Sequence, residues 1–274
     1  MGHHLTDMLR TISGLLIAAT LMLAACGAET RLGFDDPDEP VLQIRSEGGF
    51  TTVEMALGRG PTYTLLADTH LIHTGPVIAI YPAPLLPNFL VGSITEDQMN
   101  EVLDLVDEIG LPDFTDETDE TNGQGVADAT TEIVTYWDES GAHTYSVYAL
   151  GINDQPSDPR TAAFLELFNL MGELAATTDA EPYEGEKAHV IAGPGFSDPD
   201  FPDLREWPLD DDSLESWAVL PNGWHCDIED PEVLDLFRDA SQNTQWNHPE
   251  GDSLDPLTLL VRPLHPGEPD CFEE

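Results

Sequence analysis

Residues 95–110, TEDQMNEVLDLVDEIG, carry the clearest secondary-structure pattern of the chain. Five apolar side chains follow the i, i+3, i+4, i+7 spacing of one helix face: Met99, Val102, Leu103, Val106 and Ile109. Thr95 and Gln98 are spaced as a capping box, and Gly110 is typical of the position after a last helical turn. The stretch therefore predicts an amphipathic helix that buries one face against another layer.

Strand patterns on both sides of this helix indicate the fold class. A hairpin is predicted before the helix across Asp68-Thr69, and another after it across residues 138–141. A second helix is predicted to begin at Pro159, with Asp158 as its N-cap. The order of strands, helix, strands and helix favours an α+β fold, with an antiparallel sheet and two helices packed on one face.

The other apolar runs are shorter. Thr51–Leu57 is strand-like, whereas the run Val77–Tyr81 precedes prolines that cannot donate to a sheet ladder, and so predicts an edge or a crossing loop. Farther along, Ala188–Ala192 and Leu257–Arg262 are predicted strands, and a third helix is predicted after Asp230-Pro231.

Composition divides the chain into five segments. We interpret residues 1–25 as a lipoprotein signal peptide and 26–40 as an acidic spacer. Residues 41–176 are predicted to form the α+β domain. An acidic linker, 177–186, leads to a smaller α+β module over 187–274 that a disulfide is expected to staple.

The end of the signal segment predicts a lipid anchor. Leu23-Ala24-Ala25-Cys26 closes an apolar run that is too short for a spanning helix, which needs about 20 residues. Small residues before a Cys resemble the bacterial lipobox, so we expect cleavage before Cys26, acylation there with diacylglycerol and palmitate, and a place on the extracytoplasmic face of the cell membrane. An ordinary secretory signal with an incidental Cys is the alternative. Either Met1 or Met8 can be the first residue.

Charge limits the classes of partner. The chain has 53 Asp and Glu against 9 Lys and Arg, for a formal net charge of −44. Such a surface repels nucleic acid and anionic lipid headgroups, so no nucleic-acid partner is expected, and the membrane is contacted through acyl chains at Cys26. Weak cation binding by acidic loops stays open. However, the acidic stretch before Gly123 places Thr118 where a calcium loop needs Asp and lacks the closing Glu, so no metal or cofactor site is predicted.

Two cysteines remain once Cys26 is acylated. Outside the cytoplasm an even remainder predicts one disulfide, between Cys226 and Cys271. A zinc site in which His225 and His265 join these cysteines is the alternative. Zinc ligands usually come in closely spaced pairs, which this arrangement lacks, so the disulfide is favoured.

Several stretches together resemble a known group of proteins. They are Leu65–His73, Thr95–Leu111, Thr130–Gly151 with its VYALG strand end, and Val261–Leu264 with Pro269–Cys271. The chain is similar in these stretches to a family of uncharacterised actinobacterial lipoproteins that share the hairpin, the helix and a second module with two cysteines. The resemblance covers most of residues 41–274 and implies the α+β layout and export. It brings no catalytic residue with it.

No sequence pattern indicates a catalytic site. There is no Gly-x-Ser-x-Gly nucleophile elbow, no phosphate-binding loop and no dinucleotide fingerprint. No catalytic residue is therefore predicted, and we expect a non-enzymatic lipoprotein that binds or scaffolds a protein or polymer partner. Two alternatives stay open: an extracytoplasmic hydrolase whose active site the sequence does not signal, and a cation-dependent adhesion module.

Overall fold

The computed structural model describes residues 36–119, 121–152, 156, 158–195, 199–200, 202–209, 214–248 and 256–271. All of them belong to one compact unit, Phe34–Glu274. The predicted signal peptide, Cys26 and most of the spacer lie outside these ranges. Within the ranges, no helix combines the length and the apolar character that crossing a membrane requires.

The first sheet has eight strands in the order β5-β7-β6-β1-β2-β3-β4-β8. Its strands are β1 Pro40–Gly48, β2 Tyr63–Leu66, β3 His70–Thr74, β4 Phe89–Ser93, β5 Asp116–Asp119, β6 Thr130–Asp138, β7 Gly141–Tyr148 and β8 Ala180–Pro182. All neighbours pair antiparallel except β5 and β7, which pair in parallel. Both predicted hairpins are confirmed, as β2–β3 and β6–β7.

Two of the three predicted helices are confirmed as α-helices, and a short α-helix that was not predicted precedes them. The α-helices among the described residues are α1 Val53–Leu57, α2 Glu96–Ile109 and α3 Pro159–Thr177. Thr95 and Gln98 make both hydrogen bonds of the capping box, and Gly110 ends α2 with a φ of 78°. A left-handed backbone costs glycine little, so this residue lets the chain turn away from the helix.

Helices α2 and α3 contact each other and cover one face of the first sheet. Tyr63 of β2 meets Phe168 of α3 edge-on, and Tyr145 of β7 lies against Phe164. The opposite face is covered by the end of the chain, where the Gln43 side chain donates a hydrogen bond to the Pro266 carbonyl. The fold is therefore the α+β arrangement that the sequence predicts.

The second sheet has six strands in the order β10-β13-β14-β9-β12-β11. Its strands are β9 Ala188–Pro194, β10 Asp203–Glu206, β11 Ala218–Val219, β12 His225–Glu229, β13 Thr244–Asn247 and β14 Leu257–Pro263. Only β10 and β13 pair in parallel. Its core is built around buried Trp217, Trp246 and Phe237 rather than against an α-helix.

One local prediction was wrong. The stretch Thr51–Leu57 contains helix α1, Val53–Leu57, rather than a strand, because β2 and β6 already pair with both edges of β1. The helix predicted after Asp230-Pro231 is present as a 3-10 helix, Pro231–Phe237, with Val233, Leu234 and Phe237 buried. The segment interpreted as a linker contains β8, which pairs with β4 at the edge of the first sheet.

Candidate binding surface

The connection between β3 and β4, residues 75–88, is a long loop whose ends are tied together. The Gly75 amide donates to the Asn88 carbonyl over 2.7 Å, and the Asn88 side chain donates to the Pro76 carbonyl over 2.9 Å. A loop of this length with adjoining ends has the form of an Ω-loop, a class that often carries function.

The first half of this loop exposes an apolar run. We call Pro76–Tyr81 the apolar loop; every residue in it is exposed. The exposed fractions of its large side chains are 73% for Val77, 60% for Ile78, 55% for Ile80 and 65% for Tyr81. Single exposed apolar residues are ordinary, but several in succession mark an interaction surface.

The second half of the loop is fixed to the second core. The Leu85 amide donates to the Ala240 carbonyl, and the Gln242 amide donates to the Ala83 carbonyl. Leu85 is buried among the residues of the second core. The apolar loop is therefore carried by a segment that is anchored on both sides, so its exposure is not that of a free chain end.

A pocket of about 640 Å³ adjoins this anchored segment. Its apolar wall is formed by Met55, Leu85, Pro87, Pro194, Leu260 and Val261. Five polar or charged residues also line it: Thr52, Glu54, Arg59, Gln242 and Thr258. We call it the apolar pocket; its volume and its combination of apolar and polar side chains are typical of small-molecule sites.

The Cys226–Cys271 disulfide is present, with the two Cα atoms 5.8 Å apart. A histidine lies beside the disulfide, but it is His189 and not His225 or His265, the two histidines of the zinc alternative. His189 Nε2 is 2.8 Å from Cys226 Sγ. Burial and, to a lesser extent, Arg262 lower the pKa of His189 to about 4, so its ring is neutral at pH 7.

The two histidines of the zinc alternative have other partners. The Nδ1 atom of His225 lies 3.0 Å from the Leu214 carbonyl oxygen. His265 is buried edge-on against Phe89 and Tyr183, and its Nδ1 lies 3.0 Å from Thr64 Oγ1. Among the described residues, the histidine and cysteine ligand atoms that converge are those of His189, Cys226 and Cys271. Strand register, which the sequence does not give, is what brings His189 to the cysteines.

Part of the acidic stretch before Gly123 forms a strand. Asp116–Asp119 is strand β5, and buried Asp119 accepts hydrogen bonds from Thr121, Asn122 and Thr161. Burial raises the pKa of Asp119, but the hydrogen bonds from Thr121 and Thr161 outweigh it and hold the pKa below its usual value. The oxygen atoms of the Asp119 carboxylate therefore accept hydrogen bonds from within the protein.

A serine, a histidine and an aspartate meet at the β6–β7 turn. His143 Nε2 lies 3.0 Å from Ser140 Oγ and 3.1 Å from Asp138 Oδ1, while its Nδ1 contacts the Phe114 carbonyl at 2.7 Å. In a catalytic triad the carboxylate binds Nδ1, opposite the serine. Here Asp138 and Ser140 share Nε2, and Asp138 also accepts the Ser140 amide. The arrangement closes the hairpin turn.

No protein-family model, no curated protein and no solved structure matches this chain.

Proposed function

We propose that this chain is a lipid-anchored extracytoplasmic protein that binds a protein partner through the apolar loop and catalyses no reaction itself. The exposure of Val77, Ile78, Ile80 and Tyr81 on an otherwise acidic body is the observation that carries the proposal. An apolar contact of this kind gains stability when both partners release water from it.

The nature of the partner follows from the charge. A body with a net charge of −44 repels nucleic acid, other strongly acidic polymers and anionic lipid headgroups. A protein with an apolar groove, bordered by neutral or basic residues, is complementary to both the apolar loop and its surroundings. We therefore expect the partner to be an exported or membrane protein of the same compartment.

Site-specific crosslinking tests this contact. A photoreactive residue at Ile78, in otherwise native protein on intact cells, is expected to yield one distinct protein adduct. Ile152 is the matched control, because it is also an isoleucine and 55% exposed but lies outside the loop. The same adducts from both positions, or lipid adducts alone from Ile78, would contradict a protein partner.

The anchor is tested separately. Because Cys26 is the proposed attachment point, Cys26→Ser is expected to release the protein into the medium or to leave it unprocessed. Membrane fractionation with mass determination distinguishes these results from a variant that stays on the membrane at its mature size, which would rule out the anchor. The two tests are independent: a negative result for the anchor does not change what the adduct at Ile78 says about a protein partner.

A further inference from the structure

Arg59 differs from every other basic residue that the structure describes. The described ranges contain seven lysine and arginine residues. Six of them form ion pairs with carboxylates: Arg45, Arg160, Lys187, Arg205, Arg238 and Arg262. Arg59 forms none within the described residues. The one hydrogen bond that it makes within the described part of the chain, to the Ser46 carbonyl, is long at 3.5 Å.

An unpaired guanidinium is unexpected in this chain, because carboxylates outnumber basic residues 53 to 9. Arg59 is also half-buried, so part of its hydration is lost without a charged group to replace it. Glu54 lines the same pocket but forms no ion pair with Arg59. The guanidinium therefore keeps donors free for an anion that the chain does not supply.

The surroundings of Arg59 decide which anion fits. The apolar pocket offers Met55, Leu85 and Leu260 within about 640 Å³. A small hydrophilic anion would leave this wall unused, and a neutral hydrocarbon would leave the guanidinium unused. A molecule with a carboxylate at one end and a flexible alkyl chain uses both.

We propose that the apolar pocket binds a long-chain alkyl carboxylate, with its head on Arg59 and its chain along Leu260 and Leu85. Planar guanidinium and carboxylate groups can form two parallel charge-assisted hydrogen bonds. The acidic body repels the carboxylate elsewhere, so the local charge of Arg59 restricts binding to this pocket. The inference concerns a ligand, and is independent of the partner proposed for the apolar loop.

Binding is measured by calorimetry with dodecanoate and with dodecanol, which has the same alkyl chain and no charge. The protein is the full chain with Cys26→Ser, so that no attached lipid competes. We expect one dodecanoate per chain. Affinity should rise about fourfold for each methylene added between octanoate and dodecanoate, from the transfer energy of a methylene group. Dodecanol should bind more weakly than dodecanoate.

Two variants assign the roles. Arg59→Gln should weaken dodecanoate binding by about tenfold to a hundredfold, the range for a hydrogen bond to a charged group, and leave dodecanol binding unchanged. Arg45→Gln is the matched control, because it makes the same change at a residue outside the pocket. Met55→Glu should weaken both ligands; Met55 is 62% exposed, so the fold tolerates the change.

Three results would overturn the proposal: no dodecanoate binding, equal binding of dodecanoate and dodecanol, or equal effects of Arg59→Gln and Arg45→Gln. Melting curves of each variant without ligand separate a lost site from a lost fold.

Discussion

The two sheets are stabilised in different ways. The first buries one face under α2 and α3, two helices with well-formed caps and regular apolar stripes. The second has no α-helix among its described residues, and its core is covered by irregular segments and 3-10 turns.

The second core also contains polar groups that are not satisfied. The indole N–H groups of Trp207, Trp217 and Trp246 are buried without a hydrogen-bond partner in the described part of the chain. Each such group costs about 1–3 kcal/mol. The Cys226–Cys271 disulfide lies in this half of the molecule, where it offsets part of that cost by restricting the unfolded chain. We infer that regular packing stabilises the first sheet, whereas the second depends on a covalent link.

The largest expected effect is that of removing the disulfide. The double variant Cys226→Ala, Cys271→Ala should destabilise the second sheet by roughly 2–4 kcal/mol in the loop-entropy account. Amide hydrogen exchange should then show lost protection in β9, β12 and β14, and little change in α2. Equal loss in α2 would show that both sheets unfold together and would remove the distinction between them.

Acid should have the next largest effect, through two buried histidines: His189 lies in β9 of the second sheet, and His265 packs against Thr64 and Phe89 of the first sheet. Burial and, secondarily, Arg262 lower the pKa of His265 to about 3 and that of His189 to about 4. In the unfolded chain both histidines take up a proton near pH 6.5. Both imidazole rings stay neutral in the folded protein at that pH. The free energy of unfolding should therefore fall as the pH drops from about 6.5 towards 4.

Variants separate this effect from that of the carboxylates. His189→Gln and His265→Gln should each lose less stability than the native protein between pH 7.5 and 4.5, whatever their stability at pH 7.5. Urea unfolding midpoints measure the difference. Parallel curves for native and variant proteins would mean that these histidines titrate normally in the folded state.

Local sequence signals predicted the first half of the molecule well. The capping box at Thr95, the N-cap at Asp158 and the turn at Asp68-Thr69 each act over a few residues, so the sequence contains all that they need. The parity of the cysteines was sufficient for the disulfide.

The features that were missed depend on contacts between distant residues. Helix α1 replaces a predicted strand because neither edge of β1 is free. Strand β5 lies in a stretch predicted as an acidic loop, and pairs in parallel with β7 while α3 supplies Thr161 to Asp119. Arg59 was missed as a candidate binding residue because its lack of an ion pair is visible only in three dimensions. The small number of basic residues was the signal that could have drawn attention to each of them.

The cap of α2 is expected to contribute about 1 kcal/mol. Thr95→Ala removes the acceptor for the Gln98 amide, and N-cap replacements of this kind cost about that much. The matched control is Thr52→Ala, which removes the same kind of cap from α1. Because α1 has no buried residue, its loss should change the free energy of unfolding much less. Chemical denaturation of both variants gives the comparison, and equal costs would mean that packing does not amplify the cap of α2.

The smallest expected effect, below about 1 kcal/mol, belongs to the Asp138–His143 pair in the first sheet. Its pH dependence is opposite to that of buried His189 and His265. Burial lowers the pKa of His143, but the Phe114 carbonyl and Asp138 outweigh it and raise the pKa above the usual value. The hydrogen bond from Ser140, with a smaller contribution from His143, lowers the pKa of Asp138. The pair therefore stabilises the fold fully between about pH 4 and 6.5 and loses its contribution as the pH rises through the folded pKa of His143.

Native protein should accordingly be slightly more stable at pH 5.5, relative to His143→Gln, than at pH 8.5. Asp138→Asn should remove most of the same difference, because it removes the negative charge that favours the protonated ring. Nuclear magnetic resonance titration of His143 reports the pKa directly. A value at or below 6.5 would mean that burial dominates at this turn, as it does at His189 and His265, and the contrast between the two sheets would then be confined to the disulfide and the helices.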